Sequence, residues 1–131
     1  MLFRKNNKAA SNQQQSTGEI AEQTAFDYLL KKGLKPVTRN YRCRFGEIDL
    51  IMQDGGTLVF VEVRFRRSSN FGSAAATVSS SKQQRLLKTA ALYLQNQSHV
   101  PDCRFDVVGI SQTMHDNKTN FCVNWIQNAF C

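Results

Sequence analysis

The sequence predicts one α/β domain with the element order α-β-β-β-α-β-β, and three observations carry that prediction. Apolar residues recur at helical spacing in two segments, Ile20–Leu29 and Leu86–Leu94. Two strand-like runs flank Asp54-Gly55-Gly56-Thr57, a strong hairpin-turn signal. The chain has 131 residues, enough to bury one sheet-and-helix core but not two.

Residues 1–16 are rich in Asn, Gln, Ser, Lys and Ala and bury little apolar surface, so they read as a flexible arm ahead of a domain spanning 17–131. A helix starts near Thr17 or Gly18, with Glu19 and Glu22 in its first turns, where acidic side chains suit the helix dipole. Ile20, Ala21, Thr24, Ala25, Tyr28 and Leu29 form its buried stripe, and Lys31-Lys32-Gly33 stops it. Pro36 opens an extended segment through about Arg44. Glu47–Gln53 and Leu58–Phe65 are the hairpin strands. The second is apolar on both faces apart from Glu62 and Arg64, which places it centrally in a sheet.

Residues 66–79 read as a loop. A second helix follows from about Ser81 to Gln97, burying Leu86, Leu87, Ala90, Ala91 and Leu94. Arg104–Ile110 is a strand, 111–120 a polar loop, and Phe121–Ile126 a last strand.

Composition narrows the function classes. With 41% hydrophobic and 21% charged residues the chain is globular rather than disordered. No apolar run approaches the ~20 residues that span a bilayer. Met1-Leu2-Phe3-Arg4-Lys5 turns polar at once, without the apolar core of a signal peptide. The four cysteines form no Cys-x-x-Cys pair and read as free thiols. Together these predict a cytoplasmic protein without a membrane partner. A net charge of +7 favours a polyanionic partner.

The hairpin carries the chemistry. With Gly55-Gly56 as the turn, Asp49 faces Glu62 and Glu47 faces Arg64. With Asp54-Gly55 as the turn, Asp49 is a diagonal neighbour of Glu62. Either register sets Asp49, Glu62 and Arg64 on one face, because side chains alternate along a strand. Two close carboxylates in an apolar hairpin repel and are costly to desolvate. A hard cation such as Mg²⁺ compensates both and acidifies a bound water. The alternative is a buried ion network in which Arg64, with Arg42 or Arg44, neutralises the acids. Glu22, at the edge of the first helix's stripe, is a third candidate ligand, and Glu19 could assist.

Basic residues flank this pair on both sides: Arg39, Arg42 and Arg44 before it, Arg64, Arg66 and Arg67 after it, then Lys82, Arg85 and Lys88 on the second helix. An acidic centre for a cation with a basic rim for phosphates is the division of labour that phosphodiester chemistry needs. Arg42, Arg44, Arg66, Arg67, Lys82 and Arg85 are the candidate nucleic-acid contacts.

Gly18-x-x-x-Glu22, Gly46-Glu47-Ile48-Asp49-Leu50-Ile51, Val59-Phe60-Val61-Glu62-Val63-Arg64, Gly72, Lys82, Arg104-x-Asp106-Val107-Val108 and Asn128-Ala129-Phe130 resemble the YraN-like family, a widespread group of poorly characterised bacterial proteins. The resemblance covers about residues 17–130. That family is similar to archaeal Holliday-junction resolvases within the restriction-endonuclease-like superfamily. The resemblance implies an α-β-β-β-α-β core around a mixed sheet, with an added C-terminal strand. It implies Mg²⁺- or Mn²⁺-dependent endonucleolytic cleavage of DNA, including branched or repair intermediates, and resolvase-like relatives often work as homodimers. By position it assigns metal-binding and catalytic roles to Asp49, Glu62 and Glu22, and a catalytic role to residue 64. That residue is Arg64 where the superfamily has lysine. Arginine does not act as a base, since its pKa exceeds about 12. It either stabilises charge on phosphate or clamps a carboxylate and silences the site, leaving a nucleic-acid-binding module; Lys82 is the nearest substitute for the missing lysine.

Overall fold

The computed structural model describes residues 16–66 and 78–130. Helix α1 (Thr17–Lys31) leads into strands β1 (Lys35–Cys43), β2 (Gly46–Asp54) and β3 (Thr57–Arg66). Helix α2 (Ser80–Leu94) leads into β4 (Asp102–His115) and β5 (Lys118–Phe130). The expected element order and α/β class hold. The N-terminal arm up to residue 15, Arg67 and Gly72 lie outside the described residues.

The sheet runs β1-β2-β3-β4-β5, antiparallel except for the β3–β4 pair, so β3 is indeed central. The parallel pair follows from α2, which carries the chain back across the sheet before β4 starts. The helices cover opposite faces. Ala21, Ala25 and Leu29 of α1 pack with Leu50, Met52, Val59, Val61, Val108 and Ile110. Leu86 and Ala90 of α2 pack with Ile48, Ile51, Leu58, Phe60 and Val107. Inward side chains on both faces of β3 explain its nearly unbroken apolar run.

Local chemistry sets the ends. Ser16, at the end of the expected arm, is the N-cap of α1. Its Oγ accepts from Glu19 N and its own N–H donates to the Glu19 carboxylate, a capping box. Gly33 terminates the helix at φ +97°. Ser79 caps α2 by accepting from Lys82 N. The β2–β3 turn is Gly55-Gly56, with Asp54 opposite Thr57 and Leu50 opposite Val61.

Three expectations need correction. The loop expected at 111–120 is instead the tip of a long hairpin, with Asp116 and Asn117 at φ +53° and +62° forming its two-residue turn. Asx residues tolerate that conformation, and the polar run Ser111–Thr113 masked the strand. Helix α2 stops at Leu94, short of the expected Gln97, because the polar residues after it bury nothing. On α2, Ala91 is exposed and Thr89 is buried in its place, donating its hydroxyl to Arg85 O at 2.8 Å.

Candidate functional site

The β2–β3 ladder ends at Leu50–Val61, and the site begins where it ends. Alternation along β2 breaks there: Ile48 and Ile51 both pack in the layer of α2, while Leu50 packs in the layer of α1. The Asp49 carboxylate takes over as acceptor for β3, receiving the Val63 N–H at 2.8 Å. Asp49 thereby lines a cleft of about 550 Å³ between β2–β3 and the start of α1, together with Glu22, Glu47, Asn40, Arg42 and Val63.

The expected single face is therefore corrected. Asp49 opens toward α1, whereas Glu62, 6% exposed, is met by Lys82 of α2 with Nζ 3.2 Å from its carboxylate. Glu47 does not reach Arg64; it pairs with Arg42 across the β1–β2 ladder at 3.2 Å. Arg64 makes no side-chain hydrogen bond or ion pair among the described residues. Lys82, not an arginine, is the cation that neutralises Glu62.

The carboxylates nonetheless act on one another. Burial raises the Asp49 pKa, and the Glu62 charge raises it further. The Val63 N–H opposes the rise, Glu22 and Glu47 add to it, and the result is a value of about 7. Asp106 makes an instructive contrast. It is fully buried, yet it accepts from Arg104 Nε at 3.0 Å, Trp125 Nε1 at 2.9 Å and Asn128 N at 2.9 Å. Arg104 also reaches Asp54 at 3.1 Å, so this network ties the hairpin to β4 and β5. Asp106 is satisfied by donors; Asp49 has one donor and lies among the like charges of Glu62, Glu22 and Glu47.

Glu22 is held at the rim by Asn40 Nδ2 at 3.1 Å and Arg39 at 3.7 Å. Asn40 adopts φ +54°, a conformation Asn tolerates better than most residues, and its amide faces the helix. The sequence reading missed Asn40, and only its type hints at the role. Glu19 is committed to the capping box rather than to the cleft centre. Arg39 stacks over Phe26 at 4.4 Å, which takes it out of the basic rim. Arg42 lies on that rim, 73% exposed at its side chain, and Arg44 and Arg85 are exposed nearby. Arg66 closes β3, half-buried and engaged.

Among the described residues, no three His, Cys, Asp or Glu side chains stand together as a ready metal-holding group. The donor chemistry still fits a hard cation. Mg²⁺ is commonly bound by one or two carboxylates and keeps its remaining waters, and Asp49 presents an under-donated carboxylate beside like charge. Among the described residues, no helix is long and apolar enough to cross a membrane.

A family model described as "Uncharacterised protein family UPF0102" matches residues 21–110, a span that contains Glu22, Asp49, Glu62, Arg64 and Lys82. The UPF0102 protein HEAR0176 of Herminiimonas arsenicoxydans is 49% identical over 115 residues, covering 88% of this chain and 86% of its own. The UPF0102 protein of Methylobacillus flagellatus is 49% identical over 113 residues, covering 86% and 95%. The UPF0102 protein NE0719 of Nitrosomonas europaea is 50% identical over 113 residues, covering 86% and 92%.

Proposed function

Since this chain belongs to the uncharacterised protein family UPF0102, whose description names no activity, we propose from its own site that it is a metal-dependent phosphodiester hydrolase acting on DNA. One observation carries the reading: Asp49 sits in a cleft, accepts one backbone N–H, and is pushed to a pKa of about 7 by burial and by neighbouring carboxylates. A fold that only needed a buried acid would surround it with donors, as it does for Asp106. A carboxylate left short of donors beside like charge calls for a cation.

Asp49 would be the principal holder of a Mg²⁺ or Mn²⁺ ion, with Glu22 at the rim of the same cleft and Glu62, paired with Lys82 on the α2 side, as the further candidate ligands. An ion held there would supply positive charge for phosphate and make a bound water more acidic. Lys82 orients Glu62 and, exposed on its other side, offers charge to phosphate. Arg64, without a protein partner among the described residues, is available to a phosphate but not as a base. Arg42, Arg44, Arg66 and Arg85 supply the sequence-independent backbone contacts, a role that extends to Arg67. The resemblance to resolvases favours branched or repair intermediates as substrates.

The Lys82–Glu62 pair favours a second reading, a binding module of the same fold without catalysis, because a neutralised Glu62 is a poorer ligand. Cleavage assays on duplex and four-way-junction DNA with Mg²⁺ or Mn²⁺ decide between them. The hydrolase reading expects metal-dependent cutting that Asp49→Asn and Glu62→Gln each abolish with folding intact. Cutting that survives both substitutions would sink it, and DNA binding without cutting under any condition would support the module.

A further inference from the structure

The β1–β2 turn carries a feature that the acidic cleft does not use. Phe45 stands half-buried at the tip, with the Arg44 guanidinium 4.8 Å from its ring centroid and Lys88 Nζ 6.0 Å from it. Beside it lies a hollow of about 310 Å³ lined by Arg44, Phe45, Lys88, Ala91, Leu92 and Gln95. The α2 residues in it follow a spacing of three, four and seven, so they form one helix face. That face is turned from the core: Ala91 is exposed and Leu92 only half-buried, while Leu86, Thr89 and Ala90 do the packing. Core burial therefore does not account for the apolar residues there.

The turn runs past α2 at Gly46, whose φ is +147°. A Cβ at this position would meet Thr89 Oγ1 at 3.5 Å in a backbone conformation that L side chains rarely adopt. Gly46 also begins the strand that carries Asp49. Asp49 lies three residues along that strand from Gly46, about 10 Å at ~3.3 Å per residue.

We propose that this hollow binds an unpaired base of a single nucleic-acid strand, with the base against Phe45 and Leu92 and the flanking phosphates on Arg44 and Lys88. An aromatic ring and an aliphatic wall suit the flat face of any base, and two exposed cations suit the backbone on either side. A paired base hides that face in its own stack, so the site selects single-stranded or locally opened nucleic acid. The cations also reject a purely apolar occupant. The inference rests on the reading of this chain as a nucleic-acid-binding protein, and is independent of hydrolysis.

The test is binding without chemistry. In EDTA and low salt, the full chain is titrated into a short single strand carrying 2-aminopurine and into the matching duplex, with anisotropy and 2-aminopurine emission both followed. The expected result is tighter binding of the single strand, with quenching of the probe as it stacks. Phe45→Leu keeps an apolar side chain but removes the ring. It should weaken single-strand binding roughly tenfold, as loss of one base–aromatic stack does, and abolish the quenching, with duplex binding unchanged. Phe45→Trp should restore both. Single-strand affinity and quenching that are unchanged in Phe45→Leu would overturn the base site while leaving the nucleic-acid reading intact. Failure of the wild type to bind either form would overturn both.

Discussion

The Asp49 carboxylate lies 2.8 Å from the Val63 backbone nitrogen, at the point where β2 and β3 stop pairing. A side chain thus does the work of the next rung of the ladder, and burial and neighbouring carboxylates push its pKa up to about 7. Structure and electrostatics meet in that one group.

Asp49→Asn should stabilise the protein at high pH. The Asp49 pKa is raised from 3.8 to about 7 in the folded chain, so the folded state holds the extra proton between those values. The stability linked to that proton is complete below the unfolded value and is lost as pH rises through about 7. Asparagine keeps an acceptor for Val63 N–H and carries no charge. Urea unfolding at pH 8.5 should show the variant more stable by about 2–4 kcal/mol, taking ~1.4 kcal/mol per pKa unit as an upper scale. The difference should vanish near pH 4. Equal stability at pH 8.5 would show that Asp49 is not under the strain described.

Lys82→Met should destabilise the fold and Glu62→Gln should not. Removing Lys82 leaves the buried Glu62 charge without its partner. Because Lys82 is partly exposed, the cost is discounted from that of a fully buried pair to about 1–2 kcal/mol. The double variant should recover most of the loss. A double-mutant cycle with no coupling between the two positions would remove Lys82 from the site.

Asp106→Asn should be the most damaging of the acid substitutions, at about 3–5 kcal/mol. It breaks a buried pair with Arg104 and leaves Arg104, Trp125 and Asn128 competing for one oxygen. Thermal unfolding would check this. A small effect would mean that Arg104 is held mainly by Asp54.

The contrast between those two acids also marks how much was legible in the sequence. Periodicity gave the element order, and the Asp54-Gly55-Gly56-Thr57 signal left two registers open, of which the structure takes the Gly55-Gly56 one as far as Leu50–Val61. Beyond that rung, alternation was the wrong guide, because Asp49 replaces a backbone partner and the strands part. No sequence pattern announces where a ladder ends. Lys82 was named as a phosphate contact and as a substitute for the missing lysine but not as the partner of Glu62, since that approach depends on how α2 crosses the sheet. Asn40 and Phe45 were missed because a positive φ and a turn-tip ring against a neighbouring helix are tertiary facts. Ser111–Thr113 was read as loop because a polar hairpin tip lacks the apolar alternation that marks a strand.

DNA binding should fall steeply with salt. The rim cations Arg42, Arg44 and Arg85 are exposed and suited to phosphate rather than to bases. Arg85→Gln should weaken binding uniformly across sequences and reduce the slope of log K against log salt by about 1. A salt-independent affinity would argue against phosphate contacts altogether.

The central claim, that Asp49 is a cation site, is tested most directly by calorimetric titration of Mg²⁺ and Mn²⁺ into the wild type and Asp49→Asn at pH 8, in low salt with a short DNA duplex present. The account predicts saturable binding by the wild type that disappears in the variant. Equal binding by both, or none by the wild type, would contradict it and leave Asp49 as a strained acid that joins two strands.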